Sequence, residues 1–174
     1  MVLLTTFIVK DGSRLFLTNL QSRGADRPVQ LVARPTPRLL AYPKETVVAE
    51  KFEALVKLGI ANTRMKDFYD LEILLRTFTF DGKALAKAIQ NTFQKRGTDL
   101  PIASRPVAFR SEFYDDVNKN RQWSAFCAKN KSYVEKVEFK TVMEAIREFL
   151  ALPVRTVQEG NSCSKAWKPG GPWR

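Results

Sequence analysis

Five ionisable residues in the middle of the chain form a charged cluster that core packing alone seldom requires. Asp67 and Asp70 lie three positions apart, with Arg64 and Lys66 just before them. Residues three or four positions apart share one face of a helix, so a helical segment would gather these side chains in one arc. Lys51 precedes them on another predicted helix. We expect the five groups to meet in a partly buried place, where charges need partners or a task.

The position of Lys51 follows from counting about 100° per residue along the first predicted helix. On this count Lys51 lies beside Leu55 on the apolar side. Glu50, Glu53 and Lys57 fall on the opposite arc and are expected to face solvent. A lone lysine at the edge of a core also extends its ammonium to water along the apolar surface, and this simpler interpretation stays open.

Composition narrows the chemistry that is available to the chain. There is no histidine among the 174 residues, which removes histidine general bases and histidine metal sites. The two cysteines, Cys127 and Cys163, are far apart and lack metal-site spacing, so we infer a reducing, cytoplasmic setting. The apolar opening at residues 2–9 is too short to cross a membrane. Any reaction must therefore use carboxylates, lysine, arginine or a hard metal ion.

The formal net charge of +11 favours polyanionic partners such as nucleic acids or nucleotides. Residues 44–74 contain five basic and six acidic residues, so their net charge is −1 and the excess lies elsewhere. This balance fits carboxylates held close to cations, and it argues against a simple basic stripe along a nucleic-acid backbone. Ordinary solvated surface charge is the alternative interpretation.

The elements that must position these groups change in type along the chain. Residues 2–9 and 14–20 are rich in β-branched and aromatic residues around an Asp-Gly turn, which predicts a hairpin. Short extended pieces at residues 29–33 and 38–42 follow. Helical patterns follow. The first predicted helix occupies residues 44–58, and the second is capped by Asn62 or Thr63 and runs to about Arg76. The third occupies residues 82–96 and is capped by Asp81, the fourth occupies residues 118–130, and the fifth runs from a capping box at Thr141 to just before Pro153.

The sequence therefore predicts an α+β chain, with a short antiparallel β segment at the N-terminus followed by a helical bundle. We divide it into residues 1–43, a helical domain at residues 44–152, and an extended tail at residues 153–174. The tail interleaves Trp167 and Trp173 with basic residues, as single-strand binders do. Packing of these two tryptophans against the body is the preferred interpretation.

The residues at 41–51, followed by the pattern Arg64-x-Lys66-Asp67-x-x-Asp70, closely resemble the AbiEii/AbiGii toxin family of nucleotidyltransferases. The similarity covers residues 38–152 and reappears at residues 169–173. It implies part of a nucleotidyltransferase-like fold in the toxin of an abortive-infection toxin–antitoxin system for phage defence. It also implies a cognate antitoxin as partner, and transfer of a nucleotide from an NTP to an RNA acceptor such as tRNA.

The resemblance also implies roles for the five charged residues. Lys51 would contact the phosphates of the NTP, and Arg64 and Lys66 would support either those phosphates or the two carboxylates. Asp67 and Asp70 would bind Mg²⁺ and complete the catalytic set with Lys51. Such transfer needs carboxylates for the metal ion and cations to offset the developing negative charge.

The chain departs from the family in one respect. A nucleotidyltransferase core has a Gly-Ser turn followed by an Asp-x-Asp strand, whereas here Gly12-Ser13 is followed by no acidic pair. We therefore expect an N-terminally truncated or divergent member that does not complete catalysis alone. A catalytically inactive nucleic-acid-binding or structural remnant of the family is the alternative. Glu50 matches the family motif too, although the helical count points it outward.

Overall fold

The structure, a computed structural model, describes residues 43–101, 106–134 and 137–174. Over these ranges the chain forms α-helices and a short two-stranded sheet. In chain order the elements are α1 (Lys44–Leu58), α2 (Met65–Thr77), β1 (Phe80–Asp81), α3 (Gly82–Arg96), α4 (Ser111–Tyr114), α5 (Val117–Lys129), α6 (Phe139–Glu159) and β2 (Ala166–Trp167). Two 3-10 turns, Gly59–Ala61 and Val107–Phe109, lie before α2 and α4.

Capping residues fix where α3 begins and ends. The Asp81 carboxylate accepts a hydrogen bond from the backbone N–H of Ala84 at 2.7 Å, which satisfies one of the unpaired donors of the first turn. Gly97, at φ +60°, ends the helix in the left-handed conformation that glycine adopts without strain. The predicted bounds of this helix are confirmed, as are those of α1.

The start of α2 differs from the prediction. The residue that precedes its first turn is Arg64, whose side chain makes no capping bond, so neither Asn62 nor Thr63 is the N-cap. The Asn62 amide oxygen instead accepts a hydrogen bond from the backbone N–H of Arg64 at 2.9 Å. Asn62 therefore shapes the turn into α2 from outside the helix.

Both predicted ends of α6 are wrong. The helix begins at Phe139, so Thr141 lies in its first turn and there is no capping box. It also passes through Pro153 and ends at Glu159, before Gly160 in the left-handed conformation. The extended part of the C-terminal segment therefore starts after Gly160, although the sequence pattern weakens earlier.

A contact from the tail explains how α6 tolerates Pro153. Proline has no backbone N–H, so the carbonyl of Phe149, four residues earlier, loses its helical donor. The indole N–H of Trp173 donates to that carbonyl at 2.9 Å. The Trp173 ring also stacks on Phe149, with 5.8 Å between centroids and an interplanar angle of 4°. One residue thus supplies both the missing hydrogen bond and apolar cover.

This arrangement makes a coupling between Trp173 and Pro153 that can be measured. Trp173→Phe should lower the free energy of unfolding by about 1–3 kcal/mol, because it leaves a half-buried carbonyl without a donor. In a Pro153→Ala background the alanine N–H can serve the same carbonyl, so the loss should shrink by about 1 kcal/mol. Urea denaturation of the four chains measures both effects. Equal losses in the two backgrounds would show that the indole N–H is not the substitute donor.

The core lies where α6 packs against α2 and α3. Residues Glu45–Arg174 form one unit, and its largest fully buried side chains are mostly aromatic and aliphatic. They are Trp167, Phe52, Phe68, Phe80, Phe113, Phe139, Phe149, Leu55, Leu71, Leu75, Leu85 and Ile89. Burial of this apolar surface is the main force that holds the helices together.

The C-terminal segment is packed into the body through the small sheet. β1 and β2 are antiparallel, with Phe80 opposite Trp167. The indole N–H of Trp167 and the backbone N–H of Gly170 both donate to the Leu75 carbonyl, at 2.7 and 3.0 Å. That carbonyl lies in the last turn of α2, where helices lack internal donors. Trp167 is only 1% exposed, which confirms packing as the role of this tryptophan.

The α+β class is confirmed in a coarser form than predicted. The described part is mostly helical with one small antiparallel sheet, and that sheet joins Phe80–Asp81 to Ala166–Trp167 rather than lying at the N-terminus. The predicted strands at residues 2–42 lie outside the described residues. In the part of the chain that the structure describes, no helix is long and apolar enough to cross a membrane.

Candidate functional site

The central feature is an ammonium group held between two carboxylates. Lys51, on α1, donates from Nζ to Asp67 Oδ1 at 2.7 Å and to Asp70 Oδ2 at 2.8 Å. The aspartates lie three residues apart on α2, so one helix face presents both. The Lys51 side chain is only 10% exposed. Contacts of this length between ionised groups fix the direction in which the ammonium points.

Two further cations, which are more exposed than Lys51, complete the group. We call it the Lys51 cluster, and its members are Lys51, Arg64, Lys66, Asp67 and Asp70. Lys66 Nζ donates to both carboxylate oxygens of Asp70, at 2.9 and 2.8 Å. Arg64 Nη1 lies 3.9 Å from Asp67 Oδ2. The side chains of Lys66 and Arg64 are 52% and 62% exposed. Three cations against two carboxylates leave a net charge of +1, which suits an anionic ligand.

The structure thus brings together the five residues that the sequence singled out. The prediction that Lys51 points toward the paired aspartates matches the observed hydrogen bonds. The roles assigned to these residues stay predictions. Glu50 is not part of the cluster, because its carboxylate lies 3.2 Å from Arg96 Nη2 on another side of α1.

Glu53 does not face solvent, so the prediction from the helical count is wrong for this residue. Its side chain is buried, and its carboxylate accepts hydrogen bonds from Arg96 Nη1 at 2.8 Å and from the Thr98 hydroxyl. Burial on its own raises the pKa of Glu53, but the Thr98 and Arg96 hydrogen bonds and the Arg96 charge outweigh it, so the pKa lies below the ordinary value. The helical count missed this because Arg96 and Thr98 reach α1 from the far end of α3.

Glu53→Gln should make stability less dependent on pH in acid. Since the folded-state pKa of Glu53 is lowered, its carboxylate stabilises the fold above pH of about 4.5, and this contribution disappears as pH falls through the lowered value. The variant should be less stable at neutral pH and lose less stability on acidification. Urea denaturation across a pH series measures both. Glu50→Gln, which alters a more exposed carboxylate on the same Arg96, is the matched control; parallel profiles for Glu53→Gln and the unaltered chain would contradict the assignment.

A pocket adjoins the Lys51 cluster, and we call it the α2–α5 pocket. Its volume is about 660 Å³. Residues at the start of α2 line one wall, and residues of α5 line the other. The lining residues are Thr63, Arg64, Met65, Lys66, Asp67, Gln122, Ala125 and Phe126. The α5 wall was not predicted, because the sequence pattern of α5 alone does not show which neighbouring helix it faces.

A buried lysine anchors α5 beside α2. Lys119 Nζ donates to the Asn62 carbonyl at 2.6 Å and lies 5.1 Å from the centre of the Phe113 ring. Burial lowers the pKa of Lys119, and the nearby Asp116 charge opposes this only in part. Asn62 in turn bonds the backbone of Arg64. The two walls of the α2–α5 pocket are therefore tied together through one short network.

The cluster does not fit a magnesium ion on its two aspartates alone. Both oxygens of Asp70 accept from Lys66, one of them also from Lys51, and Asp67 faces Lys51 and Arg64. Magnesium is usually held by one or two carboxylates together with waters and substrate phosphates, so the obstacle here is that cations already face the aspartate oxygens. Within the described ranges there is no group of three or more His, Cys, Asp or Glu side chains that could hold a metal ion. The carboxylates fit better as groups that orient Lys51.

Comparison with protein families gives a match over most of the chain. The family model described as nucleotidyl transferase AbiEii toxin, type IV TA system, matches residues 18–151, which is more than half of the chain. The matched range includes the Lys51 cluster and both walls of the α2–α5 pocket. No curated protein and no solved structure matches the chain.

Proposed function

Because the chain belongs to the AbiEii family of nucleotidyl transferase toxins of type IV toxin–antitoxin systems, we propose that its charged site serves transfer of a nucleotide from an NTP to an RNA acceptor. The chain has no Asp-x-Asp pair, so the assay below also tests whether it completes this transfer alone. We take tRNA as the first acceptor to test. Membership in this family implies an antitoxin partner. The single observation that carries the proposal is the Lys51 ammonium fixed between Asp67 and Asp70, at 2.7 and 2.8 Å.

In the proposed reaction an RNA hydroxyl oxygen attacks the α-phosphorus of the NTP. The new P–O bond forms as the bond between the α- and β-phosphates breaks, so pyrophosphate leaves and the hydroxyl proton passes to solvent. Negative charge builds on the phosphate oxygens, and preorganised cations stabilise it. Lys51 contacts the triphosphate, and the positive charges of the more exposed Arg64 and Lys66 attract the triphosphate to the site. Asp67 and Asp70 act as positioning residues for Lys51.

A magnesium requirement is part of the proposal, but no step is assigned to a metal ion on Asp67 or Asp70. Mg²⁺ commonly binds nucleotide phosphates through water and one or two carboxylates, so it is expected to enter with the NTP. When bound, it would neutralise phosphate charge. Transfer measured with and without a chelator tests this requirement.

The decisive experiment incubates the purified chain with Mg²⁺, labelled NTPs and total tRNA. Label that becomes covalently attached to RNA supports transfer. Retention of RNA without labelling favours the second candidate, nucleic-acid binding by an inactive member. The net charge of +11, whose excess lies outside residues 44–74, is the observation that supports this second candidate. If RNA is neither labelled nor bound, the result favours a structural remnant of the family.

A further inference from the structure

We propose that the α2–α5 pocket binds the nucleobase of the NTP, and that Gln122 reads the edge of that base. This inference rests on the proposed function, since it places the rest of the nucleotide beside the Lys51 cluster. The pocket shares Arg64, Lys66 and Asp67 with that cluster. Its volume of about 660 Å³ lies within the range that small-molecule sites occupy.

The two walls of the pocket differ in chemistry, which gives the ligand a direction. The α2 wall carries the exposed cations Arg64 and Lys66, which suit phosphate oxygens. The α5 wall carries Gln122, Ala125 and Phe126, which are uncharged. A molecule with an anionic end and a flat heterocyclic end matches both walls at once. A nucleotide has this build.

Gln122 carries a hydrogen-bonding group that the protein leaves unused. Its Oε1 atom is buried and has no hydrogen-bond partner among the described residues. Buried polar atoms are nearly always paired, so an unpaired one calls for a ligand or another explanation. The terminal torsion of glutamine is soft, so the amide can turn toward the pocket. A glutamine amide offers one acceptor and two donors, which pair with the hydrogen-bonding edge of a base.

Phe126 supplies a surface for stacking next to Gln122. Its ring lies 5.6 Å from Trp123 and 5.9 Å from Tyr69, measured between centroids, so neighbouring rings hold it in place. A base gains favourable energy by stacking on an aromatic side chain whatever its identity. Phe126 would therefore give affinity for any base, while Gln122 would give the preference among bases.

The test measures binding, so it does not depend on whether transfer occurs. Isothermal titration calorimetry compares ATP, CTP, GTP, UTP and inorganic tripolyphosphate on the unaltered chain and on Gln122→Met. The variant should lose about tenfold in affinity for the preferred NTP and none for tripolyphosphate, because only the base contact is removed. Gln94→Met, which makes the same change on an exposed part of α3, should change neither affinity.

Several outcomes would overturn the proposal. The Gln122→Met chain should be at least as stable as the unaltered chain, because it removes a buried unpaired oxygen, so a loss of affinity cannot be put down to unfolding. Equal affinities for the four NTPs in both chains would exclude base reading by Gln122. Absence of NTP binding to the unaltered chain would exclude the site. If the Gln122→Met chain bound a short single-stranded RNA more weakly than the unaltered chain does, and its NTP binding were unchanged, the pocket would be assigned to the RNA acceptor instead.

Discussion

Lys51→Met should reduce labelling of RNA by at least about 100-fold, the largest effect on activity that we expect from one substitution. Preorganised groups that stabilise transition-state charge contribute factors of this size. The change should also lower the free energy of unfolding by about 2–4 kcal/mol, because Asp67 and Asp70 would face each other with their buried cation removed. Transfer assays and urea denaturation measure the two effects.

For the stability measurement the matched control is Lys66→Met, since Lys66 contacts the same Asp70 carboxylate at the same distance of 2.8 Å as Lys51. Its side chain is exposed, so its loss should cost no more than about 0.5 kcal/mol of stability. The triple change Lys51→Met, Asp67→Asn and Asp70→Asn removes all three charges and should recover most of the stability without recovering transfer. Full labelling by a folded Lys51→Met chain would remove the basis of the proposed site.

Trp167→Ala should lower the free energy of unfolding by about 3–5 kcal/mol, the largest effect on stability that we expect. The ring is almost fully buried, and its loss leaves a cavity between Phe149 and Trp173. It also removes the indole donor that serves the Leu75 carbonyl at the end of α2. The midpoint and slope of urea denaturation give the change in free energy.

Trp167→Phe separates the two contributions. Phenylalanine keeps much of the apolar contact but has no N–H, so the loss should be about 0.5–1.5 kcal/mol and smaller than for alanine. The backbone N–H of Gly170 still serves the Leu75 carbonyl in both variants. A cost below about 1 kcal/mol for Trp167→Ala would mean that the C-terminal segment adds little to the folded state.

Local signals in the sequence were enough to predict much of the helical part of the fold. Asp81 and Gly97 bound α3 through contacts within a few residues, so the chain itself displays them. The orientation of Lys51 followed from helical periodicity, and the pairing of Asp67 with Asp70 followed from their spacing. The sequence alone was therefore enough to select the five residues of the Lys51 cluster.

The errors share a physical cause, which is that distant residues override a local signal. Pro153 is normally a helix breaker, but Trp173 supplies the missing donor from twenty residues further along. Glu53 lies on the polar arc of α1, but Arg96 and Thr98 cover it. No local pattern contains these partners. Gln122 was missed for the same reason, since only the packing of α5 beside α2 brings it near Arg64.

The C-terminal segment has a dynamic consequence. Trp167 and Gly170 donate hydrogen bonds to the last turn of α2, and Trp173 donates the hydrogen bond that α6 lacks because of Pro153. Proteins open locally in cooperative units, and here one segment protects a weak point in each of two helices. Transient detachment of this segment would expose both helices to hydrogen exchange together. The helix that carries Asp67 and Asp70 would then lose its far end in the same event, which links the order of the charged site to the last residues of the segment.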